Sequence, residues 1–342
     1  MTWTITVDGD PQPVPAEDGQ TVLDALLEHG VGFAYSCQAG NCGTCKCEYV
    51  SGEIAELEYS EHALSAAERS RSTVLACRTQ VWGDVRIRRL SAEDFVMHPS
   101  RVMQCRVEAH ELLTHDVLRL SLAIQSGGPY TFSAGQFAKL QFPFAPEVAR
   151  DYSMANRPDE ARLEFHIRRI AGGLSAKIAT QLKVGDVIRV SGPFGTSYLR
   201  EQHSGPIIAI AGGTGLAPIR SIVATALAQD SERPVHLYFG VRSERDIYGE
   251  QELRDWQERY PAFRAHIVLS EERVPGRRFG MVTDAVNADF DTLAGFHAYL
   301  AGPPVMVDAA TPLLLQGGVP GRDIHADAFY SAVDTAIPSV SA

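Results

Sequence analysis

The pattern of apolar and polar positions changes rhythm twice along the chain. Near the start TWTITV alternates with period two, as a half-buried strand does, and a second short extended stretch follows a turn at Asp8–Asp10. TVLDALLEHG then repeats at helical spacing. Thr21 can cap this helix, Val22, Leu23, Leu26 and Leu27 share one face, and Gly30 stops it. Ser65 and Glu68 in SAAE have the spacing of a capping box for a short helix, and WGDVRIRRL closes the segment as a strand. Strand, strand, helix, long loop and strand predict a small α+β domain around one helix, spanning residues 1–94. FVMHPS, about residues 95–100, loses periodicity at Pro99 and reads as a linker.

Residues 101–203 are strand-rich. RVMQCRVEAHE, DVLRLSLAI, FAKLQF, RLEFHIRRI and DVIRVSG alternate in period two between Gly/Pro turns, which predicts a closed antiparallel barrel. From residue 204 the rhythm changes again. IIAIAGG, VHLYFGV, AHIVLS, HAYLAG and DIHADAF are continuous apolar runs separated by helical patterns, which predicts a parallel sheet covered on both faces and ending near residue 330. The small, polar residues 331–342 read as a tail.

Composition narrows the setting. The chain has 342 residues, 45% apolar and 21% charged, ordinary proportions for a folded protein with more than one core. The N-terminal residues lack the basic and apolar regions of a signal peptide, and PIIAIAGGTGLAPI is too short and too interrupted to span a bilayer. A cytoplasmic protein without membrane contact is expected, and cysteines kept in that reducing setting usually bind metal or react. The net charge of −11 argues against nucleic acid as a partner. Residues 1–93 hold fourteen Asp/Glu against seven Lys/Arg, an imbalance suited to steering a protein partner as well as to a plain solvated surface.

Four of the six cysteines crowd into SCQAGNCGTCKC, residues 36–47. Cys37, Cys42 and Cys45, with Cys77 well downstream, have the C-x4-C-x2-C…C spacing of a plant-type [2Fe–2S] cluster. Such a site needs four thiolates and a tight loop that aims backbone N–H groups at the sulfurs, and Gly40 and Gly43 permit that loop. A structural zinc site is the other reading, but zinc usually takes two close pairs rather than a triplet and a distant fourth. Cys47 is surplus and expected on the following strand; Cys105 is expected to be a small buried apolar residue. Separately, IIAIAGGTGLAPIRSI places Gly212, Gly213, Thr214 and Gly215 between a strand and a helix opened by Pro218, a turn that offers N–H donors to a dinucleotide pyrophosphate.

YSCQAGNCGTC…LAC, RDYS, GGLS, GGTGLAP and AGPPVM together resemble the flavin-dependent iron–sulfur reductases of oxygenases, within the ferredoxin–NADP reductase superfamily. Within it the chain resembles the reductase components of naphthalene dioxygenase and its relatives. The resemblance implies a multidomain protein: a β-grasp ferredoxin domain, an FAD-binding β-barrel and an NAD(P)-binding α/β domain. In RDYS it implies a phosphate-binding guanidinium (Arg150), a ring against the isoalloxazine (Tyr152) and a hydroxyl near its N5 (Ser153). Gly172, Gly173 and Ser175 would serve the flavin pyrophosphate. His166 and Arg168 would border the flavin, with a structural role equally open for His166. Gly302, Pro303 and Met306 would lie beside the nicotinamide; Ala301 stands where many relatives carry cysteine. Phe329 is the candidate to cover the flavin, with Tyr330 second.

NADPH-specific relatives hold the 2′-phosphate with a Ser-Arg pair where this chain has Ser270-Glu271. NADH is therefore favoured, although Arg242, Arg245 and Arg273 are near enough in sequence to leave NADPH open. The order cluster, flavin, nicotinamide favours FAD over FMN by analogy. It implies hydride transfer from NAD(P)H to FAD, then single electrons through the cluster to a Rieske-type ferredoxin or an oxygenase component. A di-iron monooxygenase or a deoxysugar dehydratase as acceptor, or a redox-sensing role, would use the same modules.

Overall fold

The structure, a computed structural model, describes residues 2–61, 63–90 and 96–330; the expected tail at 331–342 lies outside them. The described chain divides into one unit up to Met97 and a second from His98 to Phe329.

In chain order the first unit has β1 (Thr2–Val7), β2 (Val14–Glu17), α1 (Val22–Glu28), β3 (Lys46–Ser51), β4 (Ile54–Glu56), α2 (Ala66–Arg69), β5 (Thr73–Leu75), β6 (Thr79–Val81) and β7 (Val85–Arg89). The main sheet runs β2-β1-β7-β3-β5, with β1 parallel to β7 and the other neighbours antiparallel, while β4 and β6 form a separate two-stranded antiparallel ladder. α1 buries Val22, Leu23, Ala25 and Leu26; Thr21 Oγ1 caps it by accepting the Asp24 N–H, and Gly30 leaves it at φ 72°. The capping box of Ser65 and Glu68 is formed in both directions. The long loop expected from sequence also contains β3 to β6. These strands are three to six residues long and paired by distant partners, so they leave little alternation to read. Part of the acidic excess is spent inside the unit: Asp8 binds Arg86 and Arg88, Asp10 binds Arg89, and Glu68 binds Lys46.

The second unit opens with β8 (Arg101–Leu112), β9 (Val117–Ser126), β10 (Phe137–Phe142), β11 (Ala145–Ser153), β12 (Arg162–Arg168), α3 (Leu174–Gln181) and β13 (Val187–Phe194). The antiparallel order is β11-β10-β13-β8-β9-β12. The sheet curls around Cys105, Leu120, Leu140, Phe165 and Val190, and Ile178 of α3 packs into the same core. Its edge strands meet through one bridge, Met154 to Phe165, backed by the Ala155 N–H donating to Glu164 C=O at 2.8 Å. The expected barrel thus closes at a single point, leaving the rest of the seam without a ladder.

The unit continues with β14 (Ile207–Gly212), α4 (Leu216–Gln229), β15 (Val235–Val241), α5 (Glu250–Arg259), β16 (Phe263–Leu269), β17 (Arg278–Phe279), α6 (Val282–Asp289), β18 (His297–Gly302), α7 (Pro304–Gln316) and β19 (Ile324–Ala328). All strands are parallel, in the order β17-β16-β15-β14-β18-β19. α4 and α5 cover one face and α6 and α7 the other, so the central β14 and β18 are buried throughout. That burial is why these strands read as unbroken apolar runs. Among the described residues no helix is long and apolar enough to cross a membrane.

Candidate functional site

The cysteine loop follows α1 and turns through positive φ at Gln38, Gly40 and Gly43. Gly43 is the tightest point, since a Cβ there would lie 2.7 Å from the Ala63 carbonyl oxygen. The loop brings the four predicted ligands together as two pairs. Cys45 and Cys77 have their sulfurs 3.2 Å apart, and Cys37 bonds Cys42; none is in a disulfide. Cys37 Sγ also accepts the N–H groups of Ala39 and Asn41, each at 3.4 Å. The bond from Cys42, with these amides, draws the Cys37 thiol down to about 6, and the bond from Cys45 lowers Cys77. Within each pair the bond that lowers one thiol raises its partner, Cys42 or Cys45, so it is the convergence of four sulfurs that fits an iron–sulfur cluster. Cys47 sits buried on β3, and burial, with the nearby Cys77, pushes its thiol up to about 12. Cys105 lies in the barrel core, likewise raised to about 12 by burial. Both behave as small apolar side chains.

In the second unit Arg150, Tyr152 and Ser153 end β11, where Tyr152 is paired with Ala138 and Ser153 with Phe137. Arg150 is exposed and Tyr152 half-buried, and burial raises the Tyr152 hydroxyl to about 12. Ser153 is buried, its Oγ 3.5 Å from Asp327 Oδ2 on β19. One strand over, the buried His166 has Nε2 3.1 Å from Glu164 Oε1 and its ring edge-on to Tyr248. Burial lowers its pKa, so the ring is neutral near pH 7, and its Nδ1 is buried without a hydrogen-bond partner. Arg168 is turned to Asp116, Nε to Oδ2 at 3.2 Å. Gly172 turns at φ 75°, and Gly173 starts α3 with no side-chain cap, leaving that helix end open to an anion. Ser175 is buried and its Oγ accepts the Ile170 N–H, so the hydroxyl braces the loop.

At the C-terminal ends of β14 and β18 the two glycine motifs interlock. Gly212, Gly213, Thr214 and Gly215 form the turn after β14, with Gly213–Gly215 as a 3-10 turn. α4 begins at Leu216, two residues ahead of Pro218. A Cβ on Gly212 would lie 2.7 Å from Pro303 Cδ and 2.8 Å from Met306 Sδ, and Gly302, at φ 144°, backs onto Gly212. The Phe329 N–H donates to Gly302 C=O at 2.8 Å, placing that aromatic residue beside the same turn. This is a crevice at the carboxyl ends of parallel strands, where open α/β sheets bind their ligands. Two tight glycine turns and a helix start fit a dinucleotide.

The comparisons with known proteins follow the same three parts. The 2Fe-2S iron-sulfur cluster binding domain family matches residues 5–81, the oxidoreductase FAD-binding domain family residues 104–198, and the oxidoreductase NAD-binding domain family residues 209–311. The ferredoxin–NAD(P)+ reductase component of the naphthalene 1,2-dioxygenase/salicylate 5-hydroxylase systems of a Ralstonia species is 42% identical over 92% of this chain and 95% of that protein. The chain belongs to the oxygenase-system ferredoxin–NAD(P)+ reductases. The naphthalene 1,2-dioxygenase counterpart from Pseudomonas putida is 40% identical over 93% of the chain and 95% of its own length. The crystal structure of an Amycolatopsis cytochrome P450 reductase superposes with a TM-score of 0.82 at 36% identity, covering 96% of this chain and 99% of that one. The reductase is thus an oxidoreductase that carries electrons between NAD(P)H-, FAD- and [2Fe–2S]-binding domains.

Several residues of the reductase that shape the site were not picked out from sequence. Arg220 of α4 forms a fork with Glu252 at 2.7 and 2.8 Å and donates to Ala155 C=O, while Ser221 Oγ donates to Asn156 C=O. These bonds lock α4 onto the loop just beyond Ser153. Tyr248 OH reaches the Gly213 carbonyl at 3.2 Å. Asp116 and Asp327 have no local motif around them. Of the three arginines near the nucleotide end, Arg242 is engaged with Asp246 and Asp116, and Arg273 lies over the Phe279 ring. The backbone N–H groups of Ser270 and Glu271 donate to Val241 C=O and Arg242 C=O.

Proposed function

We propose that the reductase draws electrons from NADH and hands them singly to a Rieske-type ferredoxin, or directly to an oxygenase component, of an aromatic-ring-hydroxylating system. The four thiols gathered by the cysteine loop carry this reading, because a cluster-bearing exit is what a one-electron protein acceptor requires. The names of the Ralstonia and Pseudomonas relatives support an aromatic dioxygenase system; the Amycolatopsis structure's name supports a cytochrome P450 as the second choice of acceptor. The cytoplasm is the matching location. Working boundaries are residues 1–94 for the ferredoxin domain, 101–203 for the flavin domain and 204–330 for the nicotinamide domain.

Cys37, Cys42, Cys45 and Cys77 would hold the cluster. Arg150, Tyr152, Gly172, Gly173 and Ser175 would seat the flavin, and Gly212 to Gly215, Pro218, Gly302, Pro303 and Met306 the nicotinamide dinucleotide. The bound groups supply hydride acceptance from the nicotinamide and its division into single electrons. The protein's part is placement. Ser153 would offer its hydroxyl to the flavin, with Asp327 Oδ2 3.5 Å away to orient it, and the neutral His166 would border the ring. Phe329, beside the Gly302 turn, would shield the flavin face from water. Arg220 and Ser221 hold the two halves of the site in register.

Reconstitution decides the acceptor. With NADH in excess, a purified Rieske-type ferredoxin of a naphthalene-type dioxygenase should be reduced many times per reductase molecule. Turnover of a P450 without reduction of the ferredoxin would sink the first choice of acceptor.

A further inference from the structure

We propose that Asp116 makes the reductase selective for the unphosphorylated dinucleotide by occupying Arg242, a specificity role that rests on the reading of NADH as the donor. Arg242 directly follows β15, the strand beside β14, and so stands at the ligand-binding edge of the sheet. A short way beyond the glycine turn, dinucleotide sheets read the 2′ position of the adenosine ribose: a carboxylate takes the free hydroxyl, an arginine accepts a phosphate. By residue type alone Arg242 would select the phosphorylated form.

The tertiary structure reverses that reading. Asp116, in the turn between β8 and β9 of the barrel, puts Oδ2 3.7 Å from Arg242 Nη2 and 3.2 Å from Arg168 Nε. Asp246 places Oδ1 3.3 Å from the same Arg242 nitrogen. Asp116 is held in place: Thr114 Oγ1 donates to its Oδ1 at 3.1 Å and accepts the N–H groups of Asp116 and Val117. Asp246 is fixed by the N–H and hydroxyl of Ser243, and His115 Nε2 lies 3.7 Å from it. Two guanidinium groups face two carboxylates, so the cluster has no surplus positive charge for a 2′-phosphate. A phosphate reaching Arg242 would meet both carboxylates at short range. A free ribose hydroxyl meets no such penalty. The Glu271 backbone, bonded to Arg242 C=O, brings a third carboxylate-bearing residue to the same edge.

The test compares 2′-phospho-AMP with 5′-AMP as competitive inhibitors of NADH oxidation by the holoenzyme, with ferricyanide as acceptor. In the wild type 2′-phospho-AMP should bind no more tightly than 5′-AMP. Asp116→Asn should tighten 2′-phospho-AMP relative to 5′-AMP by about tenfold, since it removes one carboxylate charge 3.7 Å from Arg242 Nη2. Adding Arg242→Gln should abolish the gain. No shift in Asp116→Asn, or a gain that survives Arg242→Gln, overturns the proposal. If Asp116→Asn does not yield flavin- and cluster-loaded protein, Arg242→Gln alone decides: the inhibitor ratio should change less than about twofold, and selective loss of 2′-phospho-AMP binding shows an arginine already serving the phosphate. A wild-type preference for NADPH in turnover would defeat the NADH reading separately, since the inhibitor ratio still reports on Asp116.

Discussion

A Cβ on Gly215 would lie 1.9 Å from the carbonyl oxygen of Ala301, so the turn after β14 and the end of β18 pack backbone against backbone. Gly215 has ordinary helical φ, −59°, and it is space, not conformation, that excludes a side chain. Gly215→Ala should cost about 1–3 kcal/mol through forced separation of the two turns. Thermal unfolding would read this, together with weaker NADH binding by titration. An unchanged melting temperature with unchanged NADH affinity would contradict the close packing.

Ser153 ends β11 with its Oγ 3.5 Å from Asp327 Oδ2, and it carries the only hydroxyl in RDYS besides that of Tyr152. Ser153→Ala should slow NADH-dependent flavin reduction by about a hundredfold, the usual loss for one preorganised donor. Rapid-mixing absorbance of the oxidised flavin measures it. Asp327→Asn should fall between the two, because it perturbs the hydroxyl only indirectly.

Cys77→Ala should remove the iron–sulfur absorption bands and leave the flavin bands. NADH-ferricyanide activity, which needs only the second unit, should persist, while reduction of a protein acceptor falls to background. Persistence of the cluster bands would mean that Cys77 is not a ligand.

His297 and His325, on the neighbouring strands β18 and β19, fold as neutral rings. Burial lowers both, His297 to about 3; His203, Arg233, Arg200 and Arg322 add repulsion at His297, Arg200, His297 and His203 at His325, and Asp323 lies 3.4 Å from His297. Their contribution is therefore present above the unfolded imidazole value of about 6.5 and is lost as pH falls below it. The melting temperature should drop by a few degrees between pH 7.5 and 5. The paired carboxylates Glu68, Glu250 and Asp289 are held far lower and do not titrate in that window. His297→Gln should flatten the dependence; an equal drop in that variant would assign it elsewhere.

The cluster ligands, the glycine turns and the parallel sheet were legible in the sequence because each is local or periodic. Three cysteines lie within nine positions, GGTG and AGPP are contiguous, and buried strands such as IIAIAG have no polar face to confuse the pattern. β4, β5 and β6 were not legible: three residues each, they exist only because distant partners pair with them. Nor does residue type assign Arg242 its role.

The sequence by itself determined which chemistries the chain can host, since thiolate spacing and glycine placement are requirements of the cofactors that any fold must honour. Tertiary structure alone decided how those chemistries are tuned. It brought Asp327 to Ser153, Tyr248 to His166, and Asp116 to both Arg168 and Arg242. All but the Asp116–Arg168 pair, which lies within the barrel, join the barrel to the nicotinamide half across large separations in sequence. Electrostatic and hydrogen-bond effects depend on distance in space, and no pattern along the chain encodes that distance.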